Sequence, residues 1–143
     1  MAGRVGIPLV LAPGGLDNAV FSPAYPMPEE LAGRKIHTHD IRFCVRMGPA
    51  EMERFARIIA DKLNKSTGSP AYVLIPKKGW SDADKAGMPL FDPAANQVFV
   101  DRLRQFLNPA IPIEEMDVHI SEPGFAERAV EVLHHMIKKQ ECT

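Results

Sequence analysis

Three times in this 143-residue chain a short strand-like run gives way, by way of a proline, to a stretch whose apolar residues recur every three or four positions. The runs are Ile41–Arg46, Ala71–Ile75 and Met116–Ile120, and the prolines are Pro49, Pro93 and Pro123. Short apolar runs bounded by turn residues read as buried strands, and three-or-four spacing reads as one buried face of a helix. Proline suits the first helical position, where its missing N–H would be unpaired anyway. Another apolar run, Ile7–Leu11, precedes the first of these units. Strands alternating with amphipathic helices bury both only by lying mostly parallel, with right-handed crossovers and helices on both faces. The expected fold is therefore α/β, three layers around a mostly parallel sheet. The chain is long enough for one domain with a real core, and residues 1–143 read as a single domain.

The first helix is expected over about 49–64, with Met52, Phe55, Ile59 and Leu63 inward and Ile58 beside them. The second is expected over about 94–107, with Asp92 as N-cap and Val98, Phe99, Leu103 and Phe106 inward. The third covers about 123–139, with Phe125, Ala129, Val130, Leu133 and Ile137 inward. Two long irregular stretches remain, 21–38 and 77–91. Pro28 opens a single helical turn in the former. Loops this long in a small domain are usually functional or packed on another domain.

In a parallel sheet every strand ends on the same edge. Gly14–Asn18, Arg46–Gly48, Pro76–Asp92 and His119–Glu122 should converge there, where open α/β sheets hold ligands. Gly14 and Gly15 can bring backbone N–H groups close to an anion, with Asp17 and Asn18 at the rim. The same residues also suit a plain tight turn closed by an Asx cap. Arg46 is either the counter-charge of a phosphate or a strand-end surface arginine. No Walker A and no Gly-x-Gly-x-x-Gly appears. Ser81, in Gly79-Trp80-Ser81-Asp82-Ala83, is rejected as a triad nucleophile because Ala83 stands where the elbow needs glycine. It can still cap a loop or touch a ligand. Trp80 is either a lid over a core edge or a contact for a partner. His37 and His39 would share a face on a strand, but a zinc site needs more ligands and only His119 offers itself. No metal is expected.

Lys+Arg 17 against Asp+Glu 18 leaves a net charge of -1, without the basic footprint of a nucleic-acid binder. No apolar stretch is long enough to span a membrane. Met1-Ala2-Gly3-Arg4 runs directly into the first strand and reads as no signal peptide. The two cysteines give no disulfide framework: Cys44 reads as a small core residue and Cys142 lies in the tail. A reducing, cytoplasmic setting fits.

Several of these residues also keep the order and spacing of a known family. They are Gly6-Ile7-Pro8, Pro13-Gly14 and Asp17, then His39 ahead of a strand ending in Arg46. Pro76, Gly79, Ser81, Asp84, Gly87, Phe91 and Asp92-Pro93 follow, and then His119-Ile120, Pro123 and Phe125-Ala126. In them the chain resembles the C-terminal domain of the Tm-one-like ATP-binding proteins. That uncharacterised family includes the N-terminal region of a tomato mosaic virus resistance protein. The resemblance runs from about Gly6 to the last helix, and the loop 79–93 is its most specific part. It implies two Rossmann-like α/β domains, with ATP bound mainly by the first. This chain then corresponds to the second domain. The ATP-binding first domain, absent from it, is the expected partner as a separate chain. The sequence departs from the family at Asp40, at Met47-Gly48 and at Ser121-Glu122, where the family tends to carry Asn, Thr-Thr and Asn-Asp.

The leading functional expectation is a ligand- or nucleotide-associated half-domain that completes an interdomain cleft, with ATP reaching it through the partner domain. Gly14, Gly15, Asp17, Asn18, His39, Arg46, Ser81 and Asp84 would supply its ligand-binding rim. On that reading Arg46→Ala weakens binding and leaves the melting temperature nearly unchanged. A second expectation is an enzyme on a small phosphorylated or carboxylated substrate. His39 or His119 would be its acid–base group, oriented by Asp17 or Asp84. A third is a structural assembly domain that forms a homo-oligomer.

Overall fold

The computed structural model describes residues 6–66 and 68–141; the Met1–Arg4 segment and Cys142 lie outside them. Among the described residues, β1 (Leu9–Leu11), β5 (Ala71–Pro76) and β6 (Ile113–Met116) form a parallel sheet in the order β1-β5-β6. A second sheet is antiparallel, β2-β4-β3, from β2 (Asn18–Phe21), β3 (Ile36–Thr38) and β4 (Phe43–Arg46). The helices are α1 (Pro49–Asn64), α2 (Pro93–Phe106) and α3 (Pro123–Glu141), and a 3-10 turn covers Glu29–Leu31.

Pleat alternation places the core. Val73 and Ile75 of β5 pack with Met52, Ala56 and Ala60 of α1 and with Phe99 and Leu103 of α2. Leu9 and Leu11 of β1 and Ile113 of β6 join them from the flanking strands. Tyr72 and Glu114 turn to the other face, where Arg128 of α3 meets Glu114 at 2.9 Å. There α3 lies over β1 and β5. Helices, parallel sheet and helix therefore make the three α/β layers expected, in one small domain.

The second sheet departs from expectation. Ile41–Arg46 was expected in the parallel sheet, yet its strand begins at Phe43 and lies antiparallel between β2 and β3. Both partners fall in or beside the stretch read as a long loop. They are three or four residues long, and prolines between them mask the period-two pattern. The last parallel strand is Ile113–Met116 instead of Met116–Ile120. The Lys77 N–H donates to Met116 O, the Lys78 N–H to Val118 O, and the Ile120 N–H to Gly79 O. Residues 117–120 thus bend alongside 77–79, hydrogen-bonded to them without continuing the strand.

The inward faces of α1 and α2 hold, except that Ile58 is exposed. In α3 Val132 is buried, while Val130 is 67% and Ile137 39% exposed. A helix at the side of a narrow sheet is covered along only one stripe, here Phe125, Ala129, Val132 and Leu133.

At the start of α1, Glu51 accepts a hydrogen bond from the Gly48 N–H at 2.9 Å and takes a two-pronged contact from Arg34 at 2.8 and 3.0 Å. Glu51→Ala should lower stability by about 1 kcal/mol, the usual worth of an N-terminal cap. Arg34 holds the Glu51 carboxyl below its ordinary pKa, with help from the Gly48 N–H. The folded pKa is the lower one, so this contribution is complete above the ordinary carboxylate range and is lost as pH falls through the folded value. Urea titrations of both proteins across acid pH check this: the gap should close at low pH.

Candidate functional site

The chain ends β1 and β5 on the same edge of the sheet, and the segment after β6 runs back along it. From β1 come Pro13, Gly14, Gly15 and Asp17; from β5 the loop 77–91; and after β6, His119. Arg46 reaches this edge by a different route. It pairs with Asn18 across the antiparallel sheet, and the Met47 N–H donates to Asp17 O at 2.9 Å.

The centre is buried and charged. Asp17 and Asp84 are 0% exposed and Arg46 is 3% exposed. Arg46 Nη1 stands 3.4 Å from Asp84 Oδ1 and 3.9 Å from Asp17 Oδ2. Arg46 Nη2 donates to Asp92 O at 3.0 Å and to Asn96 Oδ1. Asn96 Nδ2 returns a hydrogen bond to Asp84 Oδ2 at 2.8 Å. The Trp80 N–H and the Asp92 N–H also donate to the Asp84 carboxylate, at 3.1 and 3.3 Å. Asp17 accepts from Ser81 Oγ at 2.6 Å and from Asn18 Nδ2 at 2.9 Å. Among the described residues, Asp17 Oδ1 and the Arg46 Nε and Nη1 atoms have no hydrogen-bond partner. Buried charges of this kind hold surrounding segments in place, because each lost partner leaves a desolvated charge behind.

An open depression of about 280 Å³ is joined to that centre through Asn18 and Ser81, which line it and bond Asp17. Its floor is one row of the antiparallel sheet, Val20, Cys44 and His37, which lie opposite one another in register. Asn18, Ser81, His39 and Arg42 are among the residues around it. The exposed Arg42 holds the Asp40 carboxyl down at about 2. Burial pushes the Cys44 thiol up, and the charge of Asp17 adds to this. Cys44 is thus a half-buried, protonated lining residue rather than part of the core.

Asp17, Asn18, Arg46, Ser81, Asp84 and His119 are therefore brought together, with Asp17, Arg46 and Asp84 sealed beneath Asn18 and Ser81. His39 lines the depression together with Asn18 and Ser81. The Gly14-Gly15 turn sits beside the 119–120 segment, and a Cβ on Gly14 would stand 3.0 Å from Ile120 Cδ1. Within it the Gly15 N–H donates to Trp80 O at 3.1 Å and the Leu16 N–H to Pro13 O at 3.2 Å.

His119 is held at both nitrogens. Nδ1 accepts from the Ser121 N–H at 3.2 Å, so Nε2 carries the proton and donates to Ser81 O at 3.0 Å. Trp80 is a core residue, edge-on to Phe99 with its Nε1–H on Pro76 O. Among the described residues no three His, Cys, Asp or Glu side chains are placed to hold a metal ion. No described helix is long and apolar enough to cross a membrane.

Sequence reasoning missed Asn96 and Arg42, and weighed His37 only as half of a metal pair. Asn96 had a signal: a polar residue in the stripe 92, 96, 99, 103 that is otherwise capped and apolar. The other two owe their place to a sheet whose partners were read as loop.

Comparison with known proteins identifies the family. The model of the "Uncharacterised protein family (UPF0261) C-terminal domain" matches residues 1–137. A UPF0261 protein of Brucella melitensis is 36% identical over 137 residues, covering 95% of this chain and 32% of its own length. The ToMV resistance protein Tm-1 of Solanum lycopersicum is 36% identical over 128 residues, 87% of this chain and 17% of its own length. A UPF0261 protein of Clostridium tetani is 30% identical over 140 residues, 96% of this chain and 34% of its own length. The chain spans about a third of the length of these bacterial relatives and less of the plant one. Matched along nearly all of its residues, it belongs to the UPF0261 family and corresponds to that family's C-terminal domain.

Proposed function

We propose that this domain is one half of a ligand site, completed by another domain of a UPF0261 protein, and that the ligand is a nucleotide such as ATP. The observation that carries the reading is the depression whose lining residues Asn18 and Ser81 bond Asp17 of the buried Asp17–Arg46–Asp84 centre. Asn18, Ser81, His37, His39 and Arg42 surround it, on the edge where α/β sheets hold ligands. At about 280 Å³ it is small for a whole nucleotide, which fits a site that closes only against a second surface. The resemblance to ATP-binding proteins, and relatives about three times as long, support the same division of labour. In this reading Asp17, Arg46 and Asp84 are positioning residues. Asn18, Ser81 and Arg42 are the groups within reach of a ligand, Arg42 as partner for phosphate. The acid–base alternative has less to stand on, since both nitrogens of His119 and both oxygens of Asp84 are already engaged.

Calorimetric titration of ATP tests this, first into the chain alone and then into the chain mixed with the remainder of the Brucella melitensis relative. Binding is expected to be tighter in the mixture. The exposed Arg42→Ala should weaken it about tenfold or more, the worth of a charge-assisted hydrogen bond, with little change in melting temperature. Absence of heat in both titrations would overturn the nucleotide reading.

A further inference from the structure

Asp17 does more than balance Arg46. A carboxylate only accepts hydrogen bonds, so each group bonded to it must turn a donor inward. Ser81 Oγ spends its one proton on Asp17 Oδ2, at 2.6 Å. The Asn18 amide must likewise present its NH2 side, and Nδ2 stands 2.9 Å from the same oxygen. The second Nδ2 proton has Ser81 Oγ 3.5 Å away. Asn18 and Ser81 are left with acceptors, the Oδ1 carbonyl of the first and a lone pair of the second. Among the described residues Asn18 Oδ1 takes no hydrogen bond, and it is not one of the buried polar atoms left without a partner. It is therefore open to solvent, on a residue that lines the depression.

The arrangement is fixed from behind. The Ser81 carbonyl accepts from the Asp84 N–H at 2.9 Å and from His119 Nε2 at 3.0 Å, which holds the backbone that carries the hydroxyl. Asn18 is held by strand pairing with Arg46. Asp82 adds an exposed carboxylate to the same stretch of lining, with Lys85 4.0 Å away. The donors in the lining, His37, His39 and Arg42, come from β3 and the residues that join it to β4. Arg42 lies four positions along the chain from Arg46, the residue opposite Asn18, or about 13 Å in extended backbone. The depression thus has an accepting end at Asn18 and Ser81 and a cationic end at Arg42, whose Nε and Nη2 also meet Asp40.

We propose, resting on the nucleotide reading, that Asp17 sets the hydrogen-bond polarity of the Asn18–Ser81 end, which accepts from a hydroxyl or amino group of the ligand and turns phosphate oxygens away. A phosphate oxygen there would bring acceptor to acceptor, with no proton between them. A sugar hydroxyl or the adenine amine supplies the missing donor. Asp17, which touches no ligand, is then a specificity-determining residue through the two side chains it orients.

Calorimetric titration of the chain mixed with the remainder of the Brucella melitensis relative tests this with ATP, 2′-deoxy-ATP, 3′-deoxy-ATP and ITP. The deoxy compounds lack one hydroxyl each, and ITP has a carbonyl in place of the amine. At least one analogue is expected to bind about five- to tenfold more weakly than ATP, the worth of one hydrogen bond. A weakened deoxy compound assigns the sugar to this end, and weakened ITP assigns the base. Ser81→Ala or Asn18→Ala in this chain should then bring that ratio towards one. The ratio is taken within one protein, so a general loss of stability does not move it. Equal affinity for all four ligands overturns the polarity and leaves the nucleotide reading standing. So does a ratio that neither substitution moves, since the other domain then reads the missing group. No heat with ATP itself overturns the nucleotide reading, and this proposal with it.

Discussion

Arg46→Ala is expected to destabilise the domain by about 3–5 kcal/mol, a large fraction of what a domain of this size has to lose. The side chain is 3% exposed and stands between two carboxylates that are 0% exposed. Its removal strands both in a place water does not reach. It also frees Asp92 O and Asn96 Oδ1, which accept from Arg46 Nη2, and so loosens the start of α2. The expectation of a binding defect without a stability defect treated Arg46 as a surface group, and its burial reverses that. Urea unfolding checks the magnitude. Arg46→Met keeps most of the volume and should lose nearly as much, because the stranded charges and not the cavity dominate. Adding Asp84→Asn to Arg46→Ala should recover part of the loss, since one uncompensated charge is gone. A loss under about 1 kcal/mol for Arg46→Ala would show that the carboxylates find other partners.

What the sequence discloses here follows element length. The three helices are legible because each offers 14 to 19 residues of periodic pattern and a proline at its start. β5 is legible because its six residues are almost all apolar. The antiparallel sheet is not. Its middle strand β4 falls within the strand-like run Ile41–Arg46, but β2 and β3 have four and three residues, and their alternation has no room to repeat. The expectation that Arg46 meets the carboxyl edge is correct in place and mistaken in route. It arrives through pairing of Asn18 with Arg46, a long-range contact that no local pattern encodes.

The candidate site shows the same division. Residue type alone brings Asp17, Ser81, Asp84 and His119 under suspicion, and they do gather. Type alone cannot say which are sealed and which are open. Asp84 and Asn18 are both polar residues in loop-like sequence, yet one lies under the Trp80 backbone and the other on the rim. Burial depends on how the loop 77–91 folds back on itself: the Asp84 N–H donates to Ser81 O at 2.9 Å and the Leu90 N–H to Ala83 O at 3.1 Å. The phosphate reading of Gly14-Gly15 rests on free amides, and the partner of the Gly15 N–H is a carbonyl 65 positions away, at Trp80. The number of alternative partners for a loop amide is too large for spacing to choose among them.

Gly79→Ala should be as damaging, at about 4 kcal/mol or more, for a reason distinct from charge. Gly79 has φ +126°, and a Cβ there would stand 1.5 Å from Asp84 O and 3.0 Å from His119 Cδ2. The first contact is with backbone, so no rotamer change relieves it. The carbonyl of Asp84 cannot retreat without moving its own carboxylate, which the Trp80 N–H and Asn96 hold in place. Relief of the clash therefore breaks the buried centre. Gly87→Ala separates this from simple backbone strain. Gly87 also has positive φ, +85°, but its Cβ position is open, so only the cost of the conformation remains, about 1–2 kcal/mol. Denaturant unfolding of both variants should show the first at least twice as costly as the second. Equal losses would mean that the turn after β5 yields at Asp84 without disturbing Arg46. The dependence of the ligand edge on that single close approach would then be lost.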